Sequence, residues 1–173
     1  MINSVDISSI SSKLNNIFSE IVKDKSGNLW IAAFNEGLSM IDLNKPLIQN
    51  YSFPSIREKT GFITNIKNIY EDGDGDLWID QNRWGVGIFN PGTNKLQLYT
   101  DIPSLKNVPN LRNISCIISV PLLNEIWLGS EYYPEIYRVK KEKDRIELLG
   151  TLNLSNYADN PGFPRIFYED SKH

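Results

Sequence analysis

Three tryptophans, Trp30, Trp78 and Trp127, stand 48 and 49 residues apart in a chain of 173 residues. A fixed period of this size constrains the fold more than anything else in the sequence. Each repeat must be a small unit that cannot bury its apolar face alone and stacks on the next. The first unit reads Ile21-Val22-Lys23-Asp24-Lys25-Ser26-Gly27-Asn28-Leu29-Trp30-Ile31, and the second Ile69-Tyr70-Glu71-Asp72-Gly73-Asp74-Gly75-Asp76-Leu77-Trp78-Ile79. Both have Asp six residues before the Trp, Gly three before, Leu one before and Ile one after. Seven residues after the Trp come Gly37 and Gly85, and twenty-one after come Tyr51 and Tyr99. The third unit is degenerate. Ile118 and Ile126-Trp127-Leu128 keep the register and Leu148 takes the late aromatic slot, but Pro121 stands for the Asp and Asn124 for the Gly. A fourth unit opens at Phe167-Tyr168-Glu169-Asp170, and its Trp would fall beyond His173.

Each unit holds four short segments rich in Ile, Tyr, Phe and Trp. In the first two units these are Phe18–Lys23 and Ile66–Glu71, Leu29–Ala33 and Leu77–Ile79, Leu38–Asp42 and Val86–Asn90, and Leu47–Phe53 and Leu96–Thr100. Turn-forming runs such as Lys-Ser-Gly-Asn and Asn-Pro-Gly-Thr-Asn-Lys separate them. No segment sustains a 3.6-residue pattern, so almost no helix is expected. Four antiparallel strands per 40 to 50 residues describe a propeller blade. The predicted fold is therefore all-β: a partial β-propeller of about three four-stranded antiparallel blades plus the first strand of a fourth. The blade units run about 14–61, 62–110 and 111–161, with a fourth beginning over 162–173. The repeated Trp packs between neighbouring sheets, and the Asp and Gly make the tight turn into its strand.

Composition removes several chemistries. The only cysteine is Cys116 and the only histidine is the terminal His173, which leaves no intrachain disulfide, no thiolate metal cluster and no imidazole triad. A net charge of −3 carries no footprint for nucleic acid. No apolar run reaches the roughly 20 residues that span a bilayer, and the N-terminal residues lack the charged and apolar regions of a signal peptide. Asp72-Gly73-Asp74-Gly75-Asp76 begins like a calcium loop, but an EF-hand needs Gly and Glu where this chain has Leu77 and Arg83. It reads as a repeat turn, and the sialidase Asp-box fits no better because the Asp lies one residue too far from the Trp. No metal or cofactor is expected. Lys140 to Arg145 mixes both signs and reads as a solvated hairpin. Cys116 sits in an Ile-rich segment and reads as a small core residue.

The pattern Asp-x-x-Gly-x-Leu-Trp-Ile followed by Gly-Leu and a late Tyr resembles the two-component-regulator propeller repeat. Asp24–Ile31 with Gly37-Leu38, and Asp72–Ile79 with Gly85-Val86, are close matches. The resemblance runs from about Leu14 to Asp170. It implies the extracytoplasmic sensor of hybrid two-component systems from polysaccharide-degrading gut bacteria. In that family the sensor precedes an immunoglobulin-like domain, a membrane span, a kinase, a receiver and a DNA-binding domain, and detects oligosaccharides. The implied place is the periplasm, and the implied role is input to a kinase that this chain does not contain.

Strand alternation puts the turns between strands one and two, and three and four, on one face. The loops between strands two and three, with the links between blades, lie on the other. This second face carries Phe34-Asn35-Glu36, Gln81-Asn82-Arg83-Trp84 and Ser130-Glu131-Tyr132-Tyr133, with the long links Pro54–Phe62, Ile102–Arg112 and Ser155–Pro164. Long loops on a rigid scaffold concentrate binding residues. Trp84 is the one tryptophan outside the repeat register. An aromatic ring covers the apolar face of a pyranose while neighbouring polar groups bond its hydroxyls. The candidate ligand-binding residues are Asn82, Arg83, Trp84, Glu131, Tyr132 and Tyr133; the alternative role for Trp84 and Tyr133 is to cap their blades. No pair of carboxylates is marked for catalysis, and the chain is not read as an enzyme. An oligosaccharide-binding sensor segment is expected first. Next comes a structural or interaction module that mediates dimerisation, and then a propeller glycosidase or lyase. A closed ring of six to eight blades needs roughly 290 to 390 residues at this period. The sequence therefore predicts a piece of a larger sensor, or two copies that associate, with Val5–Ile10 free to add an outer strand.

Overall fold

The computed structural model describes residues 18–33, 37–43, 47–53, 65–81, 85–143 and 145–167. Within them the chain forms three antiparallel sheets, each of four strands in sequence order. The first is β1 (Phe18–Lys23), β2 (Leu29–Ala33), β3 (Gly37–Asp42) and β4 (Leu47–Tyr51). The second is β5 (Ile66–Glu71), β6 (Leu77–Gln81), β7 (Gly85–Asn90) and β8 (Lys95–Leu98). The third is β9 (Ile114–Val120), β10 (Glu125–Ser130), β11 (Glu135–Glu142) and β12 (Arg145–Asn153). These are three propeller blades. Their first strands lie side by side, β1 against β5 and β5 against β9, as the inner strands of a ring do.

The expected segments and the strands differ at their ends. The fourth strands stop early, at Tyr51 and Leu98, and a 3-10 turn at Tyr99–Asp101 takes over in the second blade. Residues 161–167 form no strand. The Ser115 hydroxyl nevertheless donates to the Pro164 carbonyl, as the Ser19 hydroxyl donates to that of Ile66 where β5 begins. Residues 1–17, with Val5–Ile10, and 168–173 lie outside the described residues.

The core sits between blades. Trp30, Ala32 and Leu38 of the first blade pack on Ile69, Leu77, Ile79 and Phe89 of the second. Phe89 is the hub of an aromatic cluster, with ring centroids 5.0 Å from Tyr51, 5.3 Å from Phe53 and 6.2 Å from Trp30. Trp78, Val86 and Ile88 of the second blade pack in the same way on Ile114, Ile126, Leu128, Tyr137 and Val139 of the third. The link after β8 is less of a loop than its sequence implied. Ile102, Leu105 and Leu111 are buried in this second core, so much of Ile102–Arg112 is a plug that completes the seam.

Two repeated positions turn out to be one contact. Gly37 and Gly85 hold φ of +88° and +82°, and a Cβ on Gly85 would meet the Tyr99 ring at 2.5 Å, while one on Gly37 would meet the Tyr51 carbonyl at 2.5 Å. Only glycine tolerates both the backbone twist and the approach. In the third blade Pro134 and Leu148 stand at these two positions, so Gly and Tyr are lost together.

Candidate functional site

On the turn face, the repeated Asp does more than shape a turn. The carboxylate of Asp24 accepts from the Asn28 backbone at 2.8 Å and from the Trp30 indole at 2.8 Å. Asp72 accepts from the backbones of Asp74 and Asp76 at 2.9 and 3.0 Å, and from the Trp78 indole at 2.9 Å. Asp and Trp are conjoined in the repeat because a buried indole N–H needs an acceptor. In the third blade Pro121–Leu123 form a 3-10 turn instead, and Glu125 takes over as acceptor for the Trp127 indole, at 2.8 Å. Glu125 is also gripped by Arg138, through Nε at 2.8 Å and through a second nitrogen at 2.5 Å, which holds its carboxyl below the usual range. Asn124 sits at φ 52°, the left-handed position that Gly27 and Gly75 fill in the other blades.

Lys141 departs from the expected solvated hairpin. Its ammonium lies 2.7, 3.1 and 2.6 Å from carboxylate oxygens of Asp72, Asp74 and Asp76, and its side chain is buried. The acidic run that resembled a calcium loop thus receives an internal cation from the neighbouring blade. Burial alone would push the Asp72 carboxyl up, but the bonds from Lys141 and Trp78 outweigh it and hold the group low. For Lys141, burial acts downward, and the three carboxylates reverse it and raise the pKa. Beside this cluster, Lys25, Tyr70, Glu71, Ser119, Asn124 and Glu125 help line a cleft of about 380 Å³ between the turns.

On the loop face, Asn82, Arg83 and Trp84 lie outside the described residues, as do Phe34–Glu36. The other three candidates are in view. Tyr132 and Tyr133 are 53% and 45% exposed on the loop between β10 and β11. Glu131 is held at the root of that loop. Its backbone N–H donates to the Asn113 carbonyl at 2.8 Å, and its carboxylate pairs with Lys67 at 2.9 Å. The loop is closed by the Tyr133 backbone carbonyl, which accepts from the Glu135 N–H at 2.7 Å.

Sequence reasoning missed Lys67 and Asp80. Each inner strand has a register shift at the same place, between Phe18 and Glu20, Ile66 and Asn68, and Ile114 and Cys116's ladder partners. The bulged residues are Ser19, Lys67 and Ser115. Asp80 is 1% exposed; burial pushes its carboxyl up to about 8 against the attraction of Lys67, and Glu131 adds to the rise. It accepts from Asn68 at 3.3 Å and from the Ile114 backbone. Asp80 Oδ1, both amide atoms of Gln81 and the Ser130 hydroxyl are buried with no hydrogen-bond partner among the described residues. The available signal was positional: in the blade register Asp80 stands where the others have Ala32 and Gly129.

No family model matches the chain, and no curated protein matches it. Solved structures do. The extracellular domain of the hybrid two-component system BT3049 from B. thetaiotaomicron superposes with a TM-score of 0.59 at 21% identity, over 93% of this chain and 19% of that one. The extracellular domain of BT4673 from the same organism gives 0.60 at 18% identity, over 90% and 18%. PorZ, a surface component of the type-IX secretion system of Porphyromonas gingivalis, gives 0.58 at 17%, over 76% and 20%. The chain thus spans about a fifth of the length of these structures. At this identity the likeness is one of fold: propeller blades of the kind found in the extracellular domains of hybrid two-component systems.

Proposed function

We propose that these blades form part of an extracytoplasmic sensor propeller that binds an oligosaccharide on the loop face. The observation that carries this reading is the pair Tyr132 and Tyr133, half exposed and directly following Glu131, whose carboxylate lies at the seam with the second blade. Aromatic faces beside fixed polar groups suit a pyranose. The extracellular domains that share the fold support the sensor role and its placement outside the cytoplasm. Asn82, Arg83 and Trp84 follow Gln81 at the end of β6 and belong to the same proposed face. Signalling then passes to a kinase outside this chain. The test is calorimetric titration with an oligosaccharide panel, followed by Tyr133→Ala and Trp84→Ala. Binding that weakens in both variants supports the site, whereas the absence of binding to every glycan defeats the proposal.

A second function, association with another propeller blade, is favoured by the apolar outer face of the first blade. Leu29, Ile31, Ile41 and Ile48 form a separate apolar cluster there, and Ile21 is 58% exposed. Their equivalents in the second blade, Leu77, Ile79, Phe89 and Leu96, are covered by the face that carries Trp30. The occupant that fits is the Trp-bearing face of a blade in a second copy or in the rest of a larger sensor. A stable monomer in light scattering would count against association of copies. A glycosidase reading meets an obstacle at Asp80: a raised pKa suits a general acid, but a side chain 1% exposed has no route to a glycosidic oxygen.

A further inference from the structure

We propose that the Lys67–Glu131 ion pair is the recognition element of the loop-face site, reading two adjacent hydroxyls of a neutral sugar. The proposal rests on the oligosaccharide reading above and names which chemical class of sugar the site accepts.

The repeat itself singles out this pair. In the first and third blades the bulged residue of the inner strand is a serine, and its hydroxyl ties the strand to a backbone carbonyl further along the ring, at Ile66 and Pro164. The scaffold needs no more than that. In the second blade the same position is Lys67, which reaches across the seam to the loop of the next blade at 2.9 Å. Both partners keep access to solvent, with side-chain exposures of 34% and 15%. An ammonium has three donors and a carboxylate two oxygens. Among the described residues the pair uses Nζ once and Oε1 once, which leaves Oε2 and further N–H groups for a ligand. Adjacent hydroxyls of a sugar match this arrangement: one donates to the carboxylate while its neighbour accepts from the ammonium.

The surroundings point to a polar ligand without net charge. Asp80 and the Ser130 hydroxyl lie at the same seam, since Asp80 accepts from the Ile114 backbone and Ile114 is the ladder partner of Ser130. Both are buried, at 1% and 0% exposure, so the sugar meets the ion pair and not these two groups. Burial pushes the Asp80 carboxyl up to about 8, and the Lys67–Glu131 pair itself sums to no net charge. A uronic acid would have to displace Glu131 from Lys67 or face it unscreened. Tyr132 and Tyr133, next in sequence, supply rings for the apolar face of the same sugar.

The test is calorimetry on the 173-residue chain with cello-, xylo- and mannotetraose as neutral probes and tetragalacturonate as the acidic one. The expected result is binding of a neutral tetraose that weakens about tenfold or more in both Lys67→Met and Glu131→Gln, with the double variant no worse than either single one, as for coupled partners. Glu131→Gln should also gain affinity for tetragalacturonate, a gain that a misfolded protein cannot produce. Neutral binding unchanged in both variants, or tetragalacturonate preferred by the wild-type chain, overturns this inference and leaves the oligosaccharide reading standing. Failure of the wild-type chain to bind any of the neutral tetraoses overturns this inference, and failure across the whole oligosaccharide panel defeats both.

Discussion

The second and third blades solve the same packing problem with different parts. In the second, Trp78 is fully enclosed, and Asp72 serves its turn, its indole and the lysine of the next blade at once. In the third, Trp127 is only half-buried, and its indole is served by Glu125, which Arg138 holds in place. The framework tryptophan is a wedge between sheets in one case and an edge residue capped by an ion pair in the other. A repeat position therefore keeps its residue type for different reasons in different blades. Agreement with the repeat measures how completely a face is covered.

The comparison breaks first at the tryptophans. Trp78→Ala should cost about 3–5 kcal/mol, the usual price of emptying a fully buried indole site, and Trp127→Ala about 1–2 kcal/mol. Equal losses in urea unfolding would erase the distinction. Asp72→Asn should come next, at about 3 kcal/mol, because it leaves Lys141 buried with part of its counter-charge gone. Its carboxyl titrates low in the folded chain, so the stability it confers is present above its unfolded pKa and is lost as pH falls. The difference between wild type and variant should therefore shrink in acid, and a difference that grows there would be contrary.

Asp80 runs the other way. Its folded pKa, near 8, lies above the unfolded value of 3.8. Stability is thus whole below the lower value and falls as pH rises toward the upper one, by up to about 1.4 kcal/mol per pH unit. Asp80→Asn should flatten that slope and be more stable than wild type by about 2 kcal/mol at pH 7 relative to pH 5. Parallel pH profiles would show that the buried carboxyl is already ionised. The smallest effect belongs to Asn124→Gly, which eases a left-handed residue into the form the other two turns use. A gain within about 0.5 kcal/mol is expected from chemical denaturation. A loss of a full kilocalorie would mean that the Asn side chain is itself needed in the degenerate turn.

The blades were legible because a period of 48 or 49 residues repeats backbone geometry along with composition. Strand starts at Phe18, Leu29, Ile66 and Leu77 fall where apolar segments begin. Strand ends were less so, since Tyr99 leaves the ladder for a 3-10 turn in order to seat its ring against Gly85. Contacts between blades were hidden for a plainer reason. Lys141 and Asp72 are 69 residues apart, and no spacing rule links a hairpin of one blade to a turn of its neighbour. Glu131, Tyr132 and Tyr133 were found as loop residues, but Lys67 lies inside a strand whose alternation hides it. Only the bulge, invisible in sequence, turns it toward the loop face.

That bulge has a consequence for the ring as a whole. A strand's alternating pleat normally commits every side chain to one of two neighbours, so changing one residue disturbs a sheet core. The extra residue in each inner strand is released from that commitment. In the three described blades this one position carries hydroxyl, ammonium and hydroxyl in turn, and each reaches a different partner across its seam. A propeller built this way can diversify blade by blade at its innermost wall while its tryptophans keep the ring intact.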